Sequence, residues 1–228
     1  AHDLRTPMAR LRATAELALQ SPDQTSKHTE ALADCLEESD HVLSMLRTLM
    51  ELSEAEAGAM RLRLEEVSME DILKTVVELY EFVAEEKRIQ IVLEPSQNDV
   101  TLVADRARLL QLFANLVDNA LKFSPSETTV TLGAHSTRNH VQAWVQDQSR
   151  IWDRLYRGDR SRSTRGVGLG LSFVRAISEA HGGSAQVQTA PDQGCRFIVR
   201  LPIDPPPDAG ERVDLTKDSP NELNGKSA

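Results

Sequence analysis

Leu4, Met8, Leu11, Ala15 and Ala18 follow one another at alternating spacings of four and three. That is the seam of a helix that packs against other helices. Ser21-Pro22-Asp23 breaks it. A second stripe, Leu32, Leu36, Leu43, Leu46 and Met50, with Ser39 in the gap between Leu36 and Leu43, predicts a second helix running to Gly58, a residue suited to stop it. Two such helices form a hairpin whose apolar stripe one partner cannot bury alone. A dimeric four-helix bundle is the economical solution.

From about Leu64 the pattern changes. Ser68 is placed to cap a helix carrying Ile72, Val76, Leu79 and Val83. The β-branched runs Ile89-Gln90-Ile91-Val92-Leu93 and Val100-Thr101-Leu102-Val103 predict strands. Asp105 can cap the next helix, with Leu109, Leu112, Phe113, Leu116, Val117 and Ala120 on its apolar side. Val130-Thr131-Leu132 and Val141-Gln142-Ala143-Trp144-Val145 predict a strand pair, and Gln186-Val187-Gln188 with Arg196 to Leu201 complete a sheet. Strands interleaved with helices on one side make an α/β sandwich, so the whole chain is α+β. We expect a helical hairpin over 1–60, an α/β domain over 61–203, and a disordered tail over 204–228, where Pro205, Pro206 and Pro207 open a stretch of polar residues.

Composition narrows the partners. The 228 residues, 40% hydrophobic and 27% charged, suffice for one or two globular units. A net charge of −9 argues against a general nucleic-acid or anionic-membrane surface. An acidic chain that holds a polyphosphate must do so locally, through magnesium, backbone donors and a few placed Lys or Arg. Cys35 and Cys195 are far apart and offer no zinc spacing, which suits a reducing compartment. No apolar run reaches the roughly eighteen residues that span a bilayer. The chain starts inside a helical pattern, so we expect a cytoplasmic fragment whose sensor region and membrane segments lie further N-terminal.

Three runs carry chemistry. Gly166-Val167-Gly168-Leu169-Gly170-Leu171 opens into the apolar helical pattern Ser172-Phe173-Val174-Arg175-Ala176-Ile177. Glycines let phosphate approach backbone N–H groups, and a helix N-terminus adds partial positive charge behind them. In Asn115-Leu116-Val117-Asp118-Asn119-Ala120-Leu121-Lys122-Phe123, the two asparagines lie four apart and project from one helical face, with Lys122 a turn later. Amide oxygens are hard ligands suited to magnesium, and a lysine adds point charge for phosphates. In His2-Asp3-Leu4-Arg5-Thr6-Pro7 a carboxylate adjoins an imidazole, a hydroxyl lies one turn on, and Pro7 bends the helix. A neutral imidazole can attack a phosphoryl group, and the carboxylate can orient the ring or take its proton. His28, His41, His135, His140 and His181 lack this setting, and His181-Gly182-Gly183 reads as a structural turn.

These runs, in this order, resemble the core of a sensor histidine kinase, whose ATPase domain is of the Bergerat type. The resemblance spans roughly residues 1 to 202. It implies that His2 accepts the phosphoryl group, that Asp3 acts as base, and that Thr6 supports dephosphorylation of the partner regulator. It implies ATP and Mg2+ at Asn115, Asn119 and Lys122, with the metal on the two asparagines and Phe123 beside the nucleotide. Asp147 would hydrogen-bond the adenine amino group, and Gly166, Gly168, Leu169 and Gly170 would form the second glycine box. Of Arg157, Arg160, Arg162 and Arg165, which bracket the lid, one is placed to steady the triphosphate, with Arg157 the choice.

One departure stands out. The glycines that follow the aspartate in this family are absent after Asp147, where the chain runs through Gln148-Ser149-Arg150 into Ile151-Trp152-Asp153-Arg154-Leu155-Tyr156-Arg157. Either the lid over the nucleotide is truly short, or a stretch of it is missing from the sequence. The match on both flanks favours the second. The implied partners are a receiver domain of a response regulator and a second copy of the chain. The alternative is a catalytically inactive dimeric scaffold, or a phosphatase-only relative, should the short lid be genuine.

Overall fold

A computed structural model describes residues 2–19, 25–57, 59–96, 100–148, 169–190 and 194–212. The described residues fall into two compact units. The first takes those of the spans Ala1–Met60 and Asp159–Ala176, the second those of Arg61–Gly158 and Ile177–Ala228.

In the first unit, α1 (His2–Leu19) and α2 (Thr25–Glu56) pack against each other. The Cys35 thiol reaches the Leu11 carbonyl at 3.7 Å across the pair. The face of α2 nearest α1 runs through Ala31, Cys35, Glu38, Val42 and Met45, again at spacings of three and four, and is buried or half-buried. The predicted stripe lies beside it rather than on it. Leu32, Leu36, Leu43, Leu46 and Met50 are all exposed in the single chain. So α2 carries two adjacent seams, and the hairpin covers the one that includes buried Glu38.

The second unit contains two sheets. The three-stranded sheet has the order β3-β1-β8, with β1 (Leu62–Ser68) antiparallel to β3 (Thr101–Ala104) and parallel to β8 (Gly210–Arg212). The five-stranded sheet has the order β2-β4-β5-β7-β6, from β2 (Gln90–Leu93), β4 (Thr129–Ser136), β5 (His140–Asp147), β6 (Ser184–Ala190) and β7 (Gly194–Pro202). Its inner face alternates as a sheet covered on one side should: Val130 and Leu132, then Val141, Ala143 and Val145, then Cys195, Phe197, Val199 and Leu201, all buried.

Two helices cover that face, α3 (Met69–Glu86) and α4 (Arg106–Phe123). Ser68 caps α3, its hydroxyl accepting from the Asp71 N–H at 3.3 Å. Every predicted apolar residue of α4 is buried. The predicted face of α3 needs correction. Ile72 and Val76 are buried, but Leu79 is 68% exposed and Val83 37%. The buried side runs instead through Met69, Leu73 and Ala84. Leu79 sits about 60° of helix azimuth from Val76, on the solvent side.

The fifth helix, α5 (Leu169–Ala180), buries Phe173, Val174 and Ile177. It ends in a Schellman turn. The Gly182 N–H donates to the Glu179 carbonyl, and the Gly183 N–H donates to that of Ser178. Gly182 has φ +74, and a Cβ there would meet Pro206 Cδ at 2.6 Å.

The disordered tail expected from residue 204 is corrected over its first part. The Ile203 carbonyl accepts from the Val103 N–H at 2.8 Å, Pro205 is buried, and β8 pairs Gly210 with Leu62. The prolines form a turn that returns the chain to β1. Residues 213–228 lie outside the described residues. Among those described, no helix is long and apolar enough to cross a membrane.

Candidate functional site

The face of α4 that points away from the core is the best-defined part of the site. Its burial keeps Leu112, Phe113, Leu116, Val117 and Ala120 inward, and the helical period then brings Asn115 and Asn119 together at the edge of the core, both half-buried. The Asn115 side-chain nitrogen donates to the Gln111 carbonyl at 2.8 Å. The amide oxygen, the atom a hard cation takes, is the one not used in that bond. Lys122 follows in the last turn, its ammonium 5.5 Å from the centroid of the Phe123 ring that ends the helix.

The other end of α4 is anchored by Asp105. One carboxylate oxygen caps the helix by accepting from the Arg108 N–H at 3.0 Å, and the other accepts from the Arg63 N–H of β1 at 2.9 Å. The helix is therefore fixed to the three-stranded sheet at its start, and it also packs on β5.

Asp147 ends β5 and is 2% exposed. It pairs in register with Cys195 of β7. A buried carboxylate at the end of a central strand is an acceptor held in one place, which is what recognition of an exocyclic amine requires. Of the glycine box, Leu169 and Gly170 are the first residues of α5. Gly166, Gly168 and Arg157 lie outside the described residues. His2, Asp3 and Thr6 belong to α1, on whose one turn they fall, and their side chains lie outside the described residues.

Two side chains emerge that the sequence pattern passed over. Tyr80 of α3 has its phenol pushed up to about 12, first by burial and then by the negative charge of Asp118, the neighbour of Asn119. His181, expected only to form a turn, is buried at the end of α5, and burial lowers its pKa. Neither had a sequence signal, because the groups that give each its surroundings are distant in the chain.

Residues 1–58 match the His Kinase A (phospho-acceptor) domain, and residues 104–205 match the histidine kinase-, DNA gyrase B- and HSP90-like ATPase. The chain is 30% identical over 227 residues to the sensor-like histidine kinase SenX3 of Mycolicibacterium smegmatis, which covers 93% of this chain and 59% of that protein. It shares the fold of the Acinetobacter baumannii histidine kinase AdeS, with a TM-score of 0.72 at 19% identity over 89% of this chain and 98% of that one. It shares the fold also of the histidine kinase ThkA, solved in complex with the response regulator protein TrrA, with a TM-score of 0.64 at 20% identity over 89% and 59% of the two chains. The chain spans about half the length of the curated relatives it matches.

Proposed function

This chain belongs to the sensor histidine kinases, with their phospho-acceptor and ATPase domains in that order, and we propose that it transfers the γ-phosphoryl group of ATP to His2 and then to an aspartate of a response regulator. The observation that carries the reading is the half-buried Asn115–Asn119 pair, followed by Lys122, on α4, a helix whose buried side packs on β5, the strand that ends in buried Asp147. On this reading Asp147 accepts from the adenine amino group. Lys122 faces the phosphates, to which the glycine box is also assigned through its backbone N–H groups. The amide oxygens of Asn115 and Asn119 fit Mg2+, which takes oxygen ligands and keeps waters and phosphate oxygens in its shell; it would neutralise charge on the phosphates.

The transfer itself asks little covalent work of the protein. The neutral imidazole of His2 attacks the γ-phosphorus in line, a nitrogen–phosphorus bond forms, and the bond to the ADP oxygen breaks. Asp3 holds the ring and takes its proton. Arg157 steadies the triphosphate. In the second step a regulator aspartate displaces the imidazole, and Thr6 serves the reverse duty, positioning water to dephosphorylate the regulator.

The domain division follows the same reading, with the corrected end: a phosphotransfer hairpin over 1–60 and an ATP-binding domain from 61 that includes β8 at Gly210–Arg212. The exposed seam of Leu32, Leu36, Leu43, Leu46 and Met50 is the surface on which a second copy docks to close a four-helix bundle. The receiver domain docks on the hairpin below His2. The chain works in the cytoplasm, where ATP is, and membrane attachment belongs to a sensor region outside this sequence.

Isotope exchange tests the reading. Labelled ADP mixed with unlabelled ATP and magnesium should become labelled ATP through the phosphohistidine, a ping-pong signature, and His2→Gln should abolish it. Exchange that survives His2→Gln, or no exchange at all, would overturn the proposal.

A further inference from the structure

His181 is 1% exposed, and both of its ring nitrogens are engaged. Nε2 lies 3.1 Å from the Asp105 backbone N–H, a group that can only donate, so this nitrogen carries no proton. The proton is therefore on Nδ1, which donates to the Ile177 carbonyl at 2.8 Å. Ile177 is in the last turn of α5, and Asp105 is the N-cap of α4. One neutral ring thus joins the end of one helix to the start of the other, and Asp105 carries the link on to β1. At its opposite end α4 bears residues assigned above to the nucleotide, Asn119 and Lys122.

We propose that His181 is a positioning residue for nucleotide binding, fixing where α4 begins against Ile177 so that the nucleotide-bearing face of α4 keeps its place. The inference rests on the proposed nucleotide site. The link holds only while the ring is neutral. A proton on Nε2 would face the Asp105 N–H, donor against donor, and the bond would break. Burial is the largest influence and keeps the ring neutral by lowering its pKa below the ordinary 6.5. Of the charged groups facing it, the Asp105 carboxylate opposes that shift and the Arg108 guanidinium adds to it. ATP binding should therefore carry an acid limb that belongs to His181.

The experiment is calorimetric titration of the full chain with ATP and magnesium, at pH 7.5 and in steps down to the lowest pH at which each protein is shown to be folded, in the cold. Two variants separate the roles. Glutamine reaches the Nε2 position, and its oxygen accepts from the Asp105 N–H without titrating. Asparagine reaches only the Nδ1 position. At pH 7.5 we expect H181Q to bind ATP within about threefold of wild type and H181N to bind about tenfold more weakly, the scale of one buried hydrogen bond. On acidification the wild type should lose more affinity than H181Q, whose profile at each pH reports the titration of ATP itself. H181N binding as tightly as wild type, or wild type and H181Q sharing one pH profile, would overturn the inference. If H181N does not fold, the comparison of wild type with H181Q decides alone. Wild type failing to bind ATP at pH 7.5 would instead overturn the nucleotide reading beneath it.

Discussion

Single side chains carry the specificity of the proposed site, and they do so through one helix turn. Asn119 is half-buried on α4 beside Asp118 and one turn from Asn115, so removing its amide takes a ligand atom without disturbing the core. Asn119→Ala should weaken ATP binding at least about tenfold, the scale of one hydrogen bond to a charged group, with an unchanged melting temperature as the control. Tyr80 makes a prediction about pH. Its phenol is pushed up to about 12 by burial and by Asp118. The neutral phenol is therefore the folded form, and the stability it contributes is complete below the ordinary pKa of 10 and lost as pH rises from 10 toward 12. Melting curves of wild type and Tyr80→Phe between pH 9 and 11 should diverge, with the wild type falling more steeply. Asn115, Asn119 and Lys122 could be proposed from their spacing on one helical face, and Asp147 only from the family resemblance. Tyr80 and His181 could not, because what shifts them is first of all burial, made by elements far away in sequence.

Elements were legible where one face is buried and the other is not. α4 shows a clean 3.6-residue stripe because a sheet lies on one side of it. α3 was read one step off: the apolar residues Leu79 and Phe82 are exposed at 68% and 70% and blur the stripe. β1 was missed because Arg63, Glu65 and Glu66 interrupt its buried Leu62, Leu64 and Val67. β8, Gly210–Arg212, has no apolar residue to announce it. The second seam of α2 is the element-scale test. Burying a leucine is worth roughly 1.5–3 kcal/mol, and a charge in its place has no partner. Leu36→Glu should make the chain monomeric at micromolar concentration by sedimentation while its helix content persists. At the end of α5, Gly182→Ala should destabilise the chain by more than about 1 kcal/mol in urea, since the left-handed turn penalises any Cβ and Pro206 occupies the space.

For the whole molecule, the return of the chain to β1 has a measurable consequence. A chain ending at Asp204 loses the β8 pairing and the buried Pro205, so it should melt lower than a chain ending at Arg212. Equal melting temperatures would mean that the β8 strand adds nothing. The account as a whole claims that a nucleotide on the α4 face delivers its γ-phosphoryl group to His2. The direct measurement is incubation with γ-labelled ATP and magnesium for wild type, His2→Gln and Asn119→Ala. The account predicts acid-labile, alkali-stable label on wild type, none on His2→Gln, and little on Asn119→Ala. Label that persists in His2→Gln, or its absence from a wild type that binds ATP, would contradict it.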